Sequence, residues 1–92
     1  MIKSFKHKGI EDFFHTGSKK GIIPDHAGKL ARILDRFDAS IEPEDMNLPG
    51  YKLHPLIGKD RERWSVTVNG NWRITFEFID QDVILVNYED YH

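Results

Sequence analysis

The stretch WSVTVNGNWRITFEFI, residues 64–79, leaves the chain little choice of fold. Trp64, Val66 and Val68 alternate with Ser65 and Thr67, and Trp72, Ile74, Phe76 and Phe78 alternate with Arg73, Thr75 and Glu77. A period of two sorts each set onto one face of a strand. The intervening NGN at 69–71 reads as a hairpin, because Asn-Gly tolerates the positive φ of a type I′ turn. A second turn, DQD at 80–82, leads into VILVNYEDY as a last strand, and YKLHPL is strand-like up to Pro55. The second half of the chain is therefore an antiparallel meander.

The first half has a different period. In GIEDFFHTG, Ile10, Phe13 and Phe14 stand at i, i+3 and i+4, which predicts a short helix ending near Gly17. A longer helix is predicted from Pro24, with Ala27, Leu30, Ala31, Leu34 and Phe37 as its apolar stripe and Lys29, Arg32, Asp35 and Arg36 off it. SIEPEDMNLPG reads as a capped turn, with Pro43 at a first helical position. IKSF at the start fits a short strand. Helices first and a meander second predict an α+β fold with the helices packed on one face of the sheet. Trp64 and Trp72, in phase with the other apolar residues, belong to its core. The whole chain, residues 1–92, reads as a single domain.

Charge is segregated along the chain. Residues 1–36 carry eight Lys/Arg against four acids and residues 52–76 five against two, whereas residues 37–51 and 77–92 carry only acids. A chain so arranged can present a basic surface although its net charge is −2. There is no cysteine, which excludes disulfides and thiolate metal sites. The start lacks the apolar core of a signal peptide and no window suits a membrane span, so a cytoplasmic protein without membrane contact is expected.

If Trp72, Ile74 and Phe76 face the helices, Arg73 projects from the opposite face. His54 lies near the end of the strand expected at 51–55, and NYEDYH brings an acid, a phenol and an imidazole to the end of the last strand. KLHPL, NWRITF and the final DYH together resemble the HigB toxins of bacterial type II toxin–antitoxin systems, in the RelE/ParE superfamily, and the likeness runs over essentially the whole chain. The resemblance implies a compact RelE-like microbial ribonuclease fold, with the helices on one side of a curved antiparallel sheet. It further implies endonucleolytic cleavage of mRNA in the decoding site of the 70S ribosome, without metal or cofactor. The implied partner is a HigA-type helix-turn-helix antitoxin, through which operator DNA is reached only indirectly.

The family's functional positions fall on His54, Arg73, Asp90, Tyr91 and His92. Metal-free RNA cleavage uses the 2′-OH as internal nucleophile; it needs a base there, an acid at the leaving 5′-oxygen and positive charge on the phosphate. His54 and His92 suit proton transfer near neutral pH. Asp90 either takes the 2′-OH proton itself or orients a histidine. Strand alternation pairs Asp90 with His92 and turns Tyr91 the other way, to stack on a base, reach a phosphate or pack. Arg73 suits bidentate phosphate binding, with a salt bridge to Glu77 or Asp90 as the alternative. Lys52, Lys59, Arg61 and Arg63 are expected to contact RNA backbone or ribosomal RNA. Ile57 departs from the family, which often carries lysine there. His7, His15 and His26 are given no chemistry. A ParE-like, non-catalytic inhibitor of DNA gyrase is the alternative function, but such a binder has no need of paired proton-transfer groups. A metallonuclease liganded by His54, Asp90 and His92 is a third reading, without any compact ligand motif behind it.

Overall fold

Four antiparallel strands in the order β1-β2-β3-β4 organise the computed structural model, which describes residues 1–56 and 63–90. They are β1 (His54–Leu56), β2 (Arg63–Asn69), β3 (Trp72–Ile79) and β4 (Asp82–Asp90), preceded by helices α1 (Lys8–Thr16) and α2 (Ala27–Ala39). The α+β architecture expected from the change of period is thus the one observed. No helix is long and apolar enough to cross a membrane among the described residues.

The alternation in β2 and β3 does what its period requires. Val66, Val68, Ile74 and Phe76 are buried on one face, with Val83, Val86 and Tyr88 of β4 beside them. The helices supply Ile10, Leu30, Ile33, Leu34 and Phe37, and the 3₁₀ turn Pro43–Met46 adds Met46. Phe37 meets Phe76 edge-on with ring centroids 4.5 Å apart, joining α2 to the sheet. Burial on α2 centres on residues 30, 33, 34 and 37; Ala31, counted in the apolar stripe, is exposed and Ile33 takes its place inside. Trp64 and Trp72 pack half-buried against the core, as their phase predicts.

Local chemistry sets the ends of the helices. The Ile10 amide donates to His7 Nδ1 at 3.2 Å, and Gly17, at φ 80°, closes α1 by donating to the Phe13 carbonyl. The longer helix begins at Pro24 as anticipated, but its first turn is 3₁₀ before α2 proper. His26 in that turn is buried, and its Nδ1 lies 2.6 Å from the Tyr88 hydroxyl, so this histidine is structural. Burial pushes the Tyr88 phenol above its ordinary pKa, partly opposed by a hydrogen bond with the Ile23 backbone.

Three local expectations change. IKSF is not a regular strand; it joins the sheet through two parallel bridges, Ile2 to Val83 and Phe5 to Val86. The cause is a bulge in β4, where Leu85 turns to φ 55° and its amide donates instead to Ser4 Oγ at 2.9 Å. The β2–β3 hairpin turns on Gly70-Asn71, with positive φ at Gly70 (57°) and not at Asn69, as in a type II′ rather than a type I′ turn. Finally, the strand expected from Tyr51 begins only at His54, because Gly50 (φ 84°) and Lys52 (φ 51°) turn the chain first. The two bulges, in β2 near Thr67 and in β4 at Leu85, bend the sheet.

The start of α1 lies directly on the loop before α2. A Cβ on Gly9 would sit 2.8 Å from both the Gly21 carbonyl carbon and His7 Cε1. Gly9→Ala should therefore destabilise by about 1–3 kcal/mol despite alanine's better helix propensity. Gly28→Ala, whose Cβ meets only Arg32 Nη1 at 3.6 Å, should raise the melting temperature or leave it unchanged. Thermal unfolding of the two variants side by side checks the difference in sign.

Candidate active site

The face turned away from the helices carries the polar half of each strand. His54 stands opposite Ser65, Thr67 opposite Arg73, and Arg73 opposite Glu89. Directly opposed residues share a face, so this register brings His54 and Arg73 onto one surface with Ser65 and Thr67 between them. Two strand spacings and a two-residue offset put their Cα atoms roughly 12 Å apart. Two long side chains can therefore reach a common group from either side. Between them lies an open pocket of about 280 Å³, lined by the cations Lys52 and Arg73, the His54 imidazole, Ser65 and Thr67, with Trp72 at its edge. His54 and Lys52 are exposed, as an edge strand and the turn before it allow.

Arg73 is held in place. Its Nε and Nη2 both donate to Glu89 Oε1 at 2.9 Å, and the side chain is three-quarters covered. The sequence offers Glu77 or Asp90 as the acid for this arginine, and the structure adds Glu89. Glu77 lies four residues along β3, with its Oε2 3.5 Å from Arg63 Nε, while Arg63 Nη2 donates to Thr75 Oγ1 at 3.1 Å. Period-two counting shows that Glu89 and Arg73 can share a face, but only the β3–β4 register makes them neighbours.

The other expected residues are distributed as follows. Arg63 lies on the same face at the far end of β2, half-buried and occupied by Glu77 and Thr75. Asp90 ends β4 opposite Trp72, in phase with Tyr88 and out of phase with Glu89, so the register places it on the other face of the sheet from Arg73 and it is not among the residues lining the pocket. Tyr91, His92, Lys59, Arg61 and Ile57 lie outside the described residues. Gly70 and Asn71, read from the sequence only as a turn, also line the pocket, because the hairpin tip folds beside Trp72.

Chemically, the pocket offers a solvated imidazole on one side and a fixed guanidinium on the other. Groups of these two kinds are chemically suited to hold an anion and to move a proton beside it.

Comparison with known proteins points in one direction. Residues 3–92 match the family model described as HigB-like toxin, a RelE-like toxin of the type II toxin–antitoxin system HigB. The chain is 46% identical over 92 residues to the Endoribonuclease HigB of Proteus vulgaris, covering all of both chains. It is 31% identical over 94 residues to Toxin HigB-1 of Vibrio cholerae, covering all of this chain and 98% of the relative.

Proposed function

Because the chain belongs to the HigB-like family, the RelE-like toxins of type II toxin–antitoxin systems, we propose that it is an endoribonuclease that cuts mRNA in the decoding site of the 70S ribosome and so arrests translation in the bacterial cytoplasm. A toxin of this class has an antitoxin as its partner. Here that partner is a HigA-type helix-turn-helix protein, which carries the pair to operator DNA. The observation that supports the reading best is the shared pocket of His54, Lys52 and Arg73 on the polar sheet face.

The reaction follows from what these groups can do. The scissile phosphate lies against Arg73, whose planar guanidinium can grip it through two donors and is aimed by Glu89. The 2′-OH attacks the adjacent phosphorus, forming a 2′,3′-cyclic phosphate and expelling the 5′-oxygen of the next nucleotide. His54 on one side and the Asp90–Tyr91–His92 segment on the other take the proton from the 2′-OH and return one to the leaving oxygen. Tyr91 stacks on a base or reaches a phosphate. Lys52, with Lys59, Arg61 and Arg63, lies along the RNA backbone or ribosomal RNA. No step calls for a metal or a cofactor. With so few groups to align a flexible RNA, naked message should be cut slowly and the ribosome should supply the orientation.

Purified protein added to programmed ribosomes should yield discrete cuts by primer extension, with a much slower reaction on free mRNA. Intact message in arrested ribosomes would overturn the proposal, and inhibition of gyrase supercoiling in its place would favour a ParE-like binder.

A further inference from the structure

Three cations, Lys29, Arg32 and Lys52, lie within electrostatic reach of one another, and one of them, Lys52, lines the pocket. Lys29 reaches from α2 across the turn before β1, where its Nζ donates to the Gly50 carbonyl at 3.2 Å. There it lies 5.6 Å from the centre of the Tyr51 ring. Burial pushes the Lys29 ammonium below its ordinary pKa, and the charges of Arg32 and Lys52 push it the same way. Among the described residues none of these three side chains forms an ion pair, whereas Lys8, Arg63 and Arg73 each have an acid within reach. Like charges brought together without such compensation point to an anion from outside the molecule.

The cluster is built into the fold. The Tyr51 carbonyl accepts from the Thr67 amide at 2.8 Å, which fixes the turn to β2. Lys52 adopts φ 51°, a conformation that residues with a Cβ rarely take, and from there it lines the pocket. Lys52 thus belongs both to the cluster and to the pocket that holds His54.

We propose that Lys29, Arg32 and Lys52 form a phosphate-binding track that carries the RNA backbone out of the pocket and over the end of the sheet toward α2. The proposal rests on reading the pocket as the site of RNA cleavage. Two features favour RNA over an acidic protein surface. Of the pocket's two cations, Arg73 is already answered by Glu89, so a polyanion must find further attraction nearby. The half-exposed Tyr51 ring beside the ammonium also provides the aromatic-plus-cation surface on which nucleic-acid backbones and bases settle.

The test uses the full chain with Arg32→Glu and, as a second variant that introduces no new acid, Lys29→Gln/Arg32→Gln, with thermal unfolding to confirm that both fold. Binding of a fluorescently labelled single-stranded RNA oligonucleotide is followed against KCl concentration, and cleavage on programmed ribosomes is measured in parallel. Removing one cation from the phosphate backbone should reduce the slope of log affinity against log salt by about 0.7. The double variant should therefore flatten it by roughly 1.4. On ribosomes the variants should raise KM and leave kcat unchanged, because neither residue touches the reacting atoms. Unchanged RNA affinity and salt slope would overturn the track. So would loss of antitoxin binding with RNA binding intact, which would assign the patch to an acidic protein. If the variants lose RNA affinity but even the unaltered protein fails to cleave on ribosomes, the enzymatic reading fails and the track stands.

Discussion

Arg73→Ala is expected to lower the single-turnover rate of mRNA cleavage on the ribosome by about 10²–10³-fold, with the protein still folded. Charge accumulates on the non-bridging oxygens as the 2′-OH adds to phosphorus. A guanidinium already aimed at them stabilises the transition state more than the ground state. Here the aim comes from Glu89, which takes Nε and Nη2 at 2.9 Å. That pairing gives the substitution a second effect. Removal of Arg73 leaves the Glu89 carboxylate facing the pocket uncompensated, so a cationic site becomes a repulsive one. Arg73→Ala/Glu89→Ala should consequently recover part of the lost rate, a coupling that a double-mutant cycle reads directly. Arg73→Lys should fall between, because an ammonium keeps the charge but cannot hold Glu89 and phosphate with the same planar fork. A rate for Arg73→Ala equal to that of the unaltered protein would remove this arginine from the mechanism.

How much of this arrangement is legible in the sequence depends on the range of the forces involved. The meander, the inward Trp72, Ile74 and Phe76, and the outward Arg73 follow from the period of two, a local property of strands. The family resemblance names His54 and Arg73, and the strand register explains why they meet, through Ser65 and Thr67. The pairing of Arg73 with Glu89 is not legible, because Glu77, Glu89 and Asp90 are all acids near its strand. The choice depends on a register shifted by the bulge at Leu85. Nor is the turn at Lys52. YKLHPL has a strand's composition, and only its connection to Gly50 and the Tyr51–Thr67 hydrogen bond show that the chain must first reverse. That reversal is what brings Lys52 to the pocket and within the field of Lys29. Ser4 gives the same lesson on a smaller scale: its hydroxyl accepts from the Leu85 amide that the bulge in β4 turns out of the ladder.

His54→Ala should cost about 10²–10⁴-fold in kcat/KM on programmed ribosomes and little in stability. The two effects separate because of where the residue sits. β1 is a three-residue edge strand, and His54 is exposed on it opposite Ser65, so removing the ring opens no cavity in the core. A merely structural histidine in this fold looks different: His26 is buried, with the Tyr88 hydroxyl 2.6 Å away. The pH profile discriminates further. A proton-transferring imidazole contributes one limb to the dependence of kcat/KM on pH, so His54→Ala should abolish that limb as well as lower the plateau. His92→Ala should act on the other limb, and the two substitutions together should cost far less than the product of their separate effects, as groups serving one transfer do. Losses that multiply in full would mean that the two histidines act in separate steps. A profile of unchanged shape for His54→Ala would return that residue to the surface and leave proton transfer to the Asp90–Tyr91–His92 segment alone.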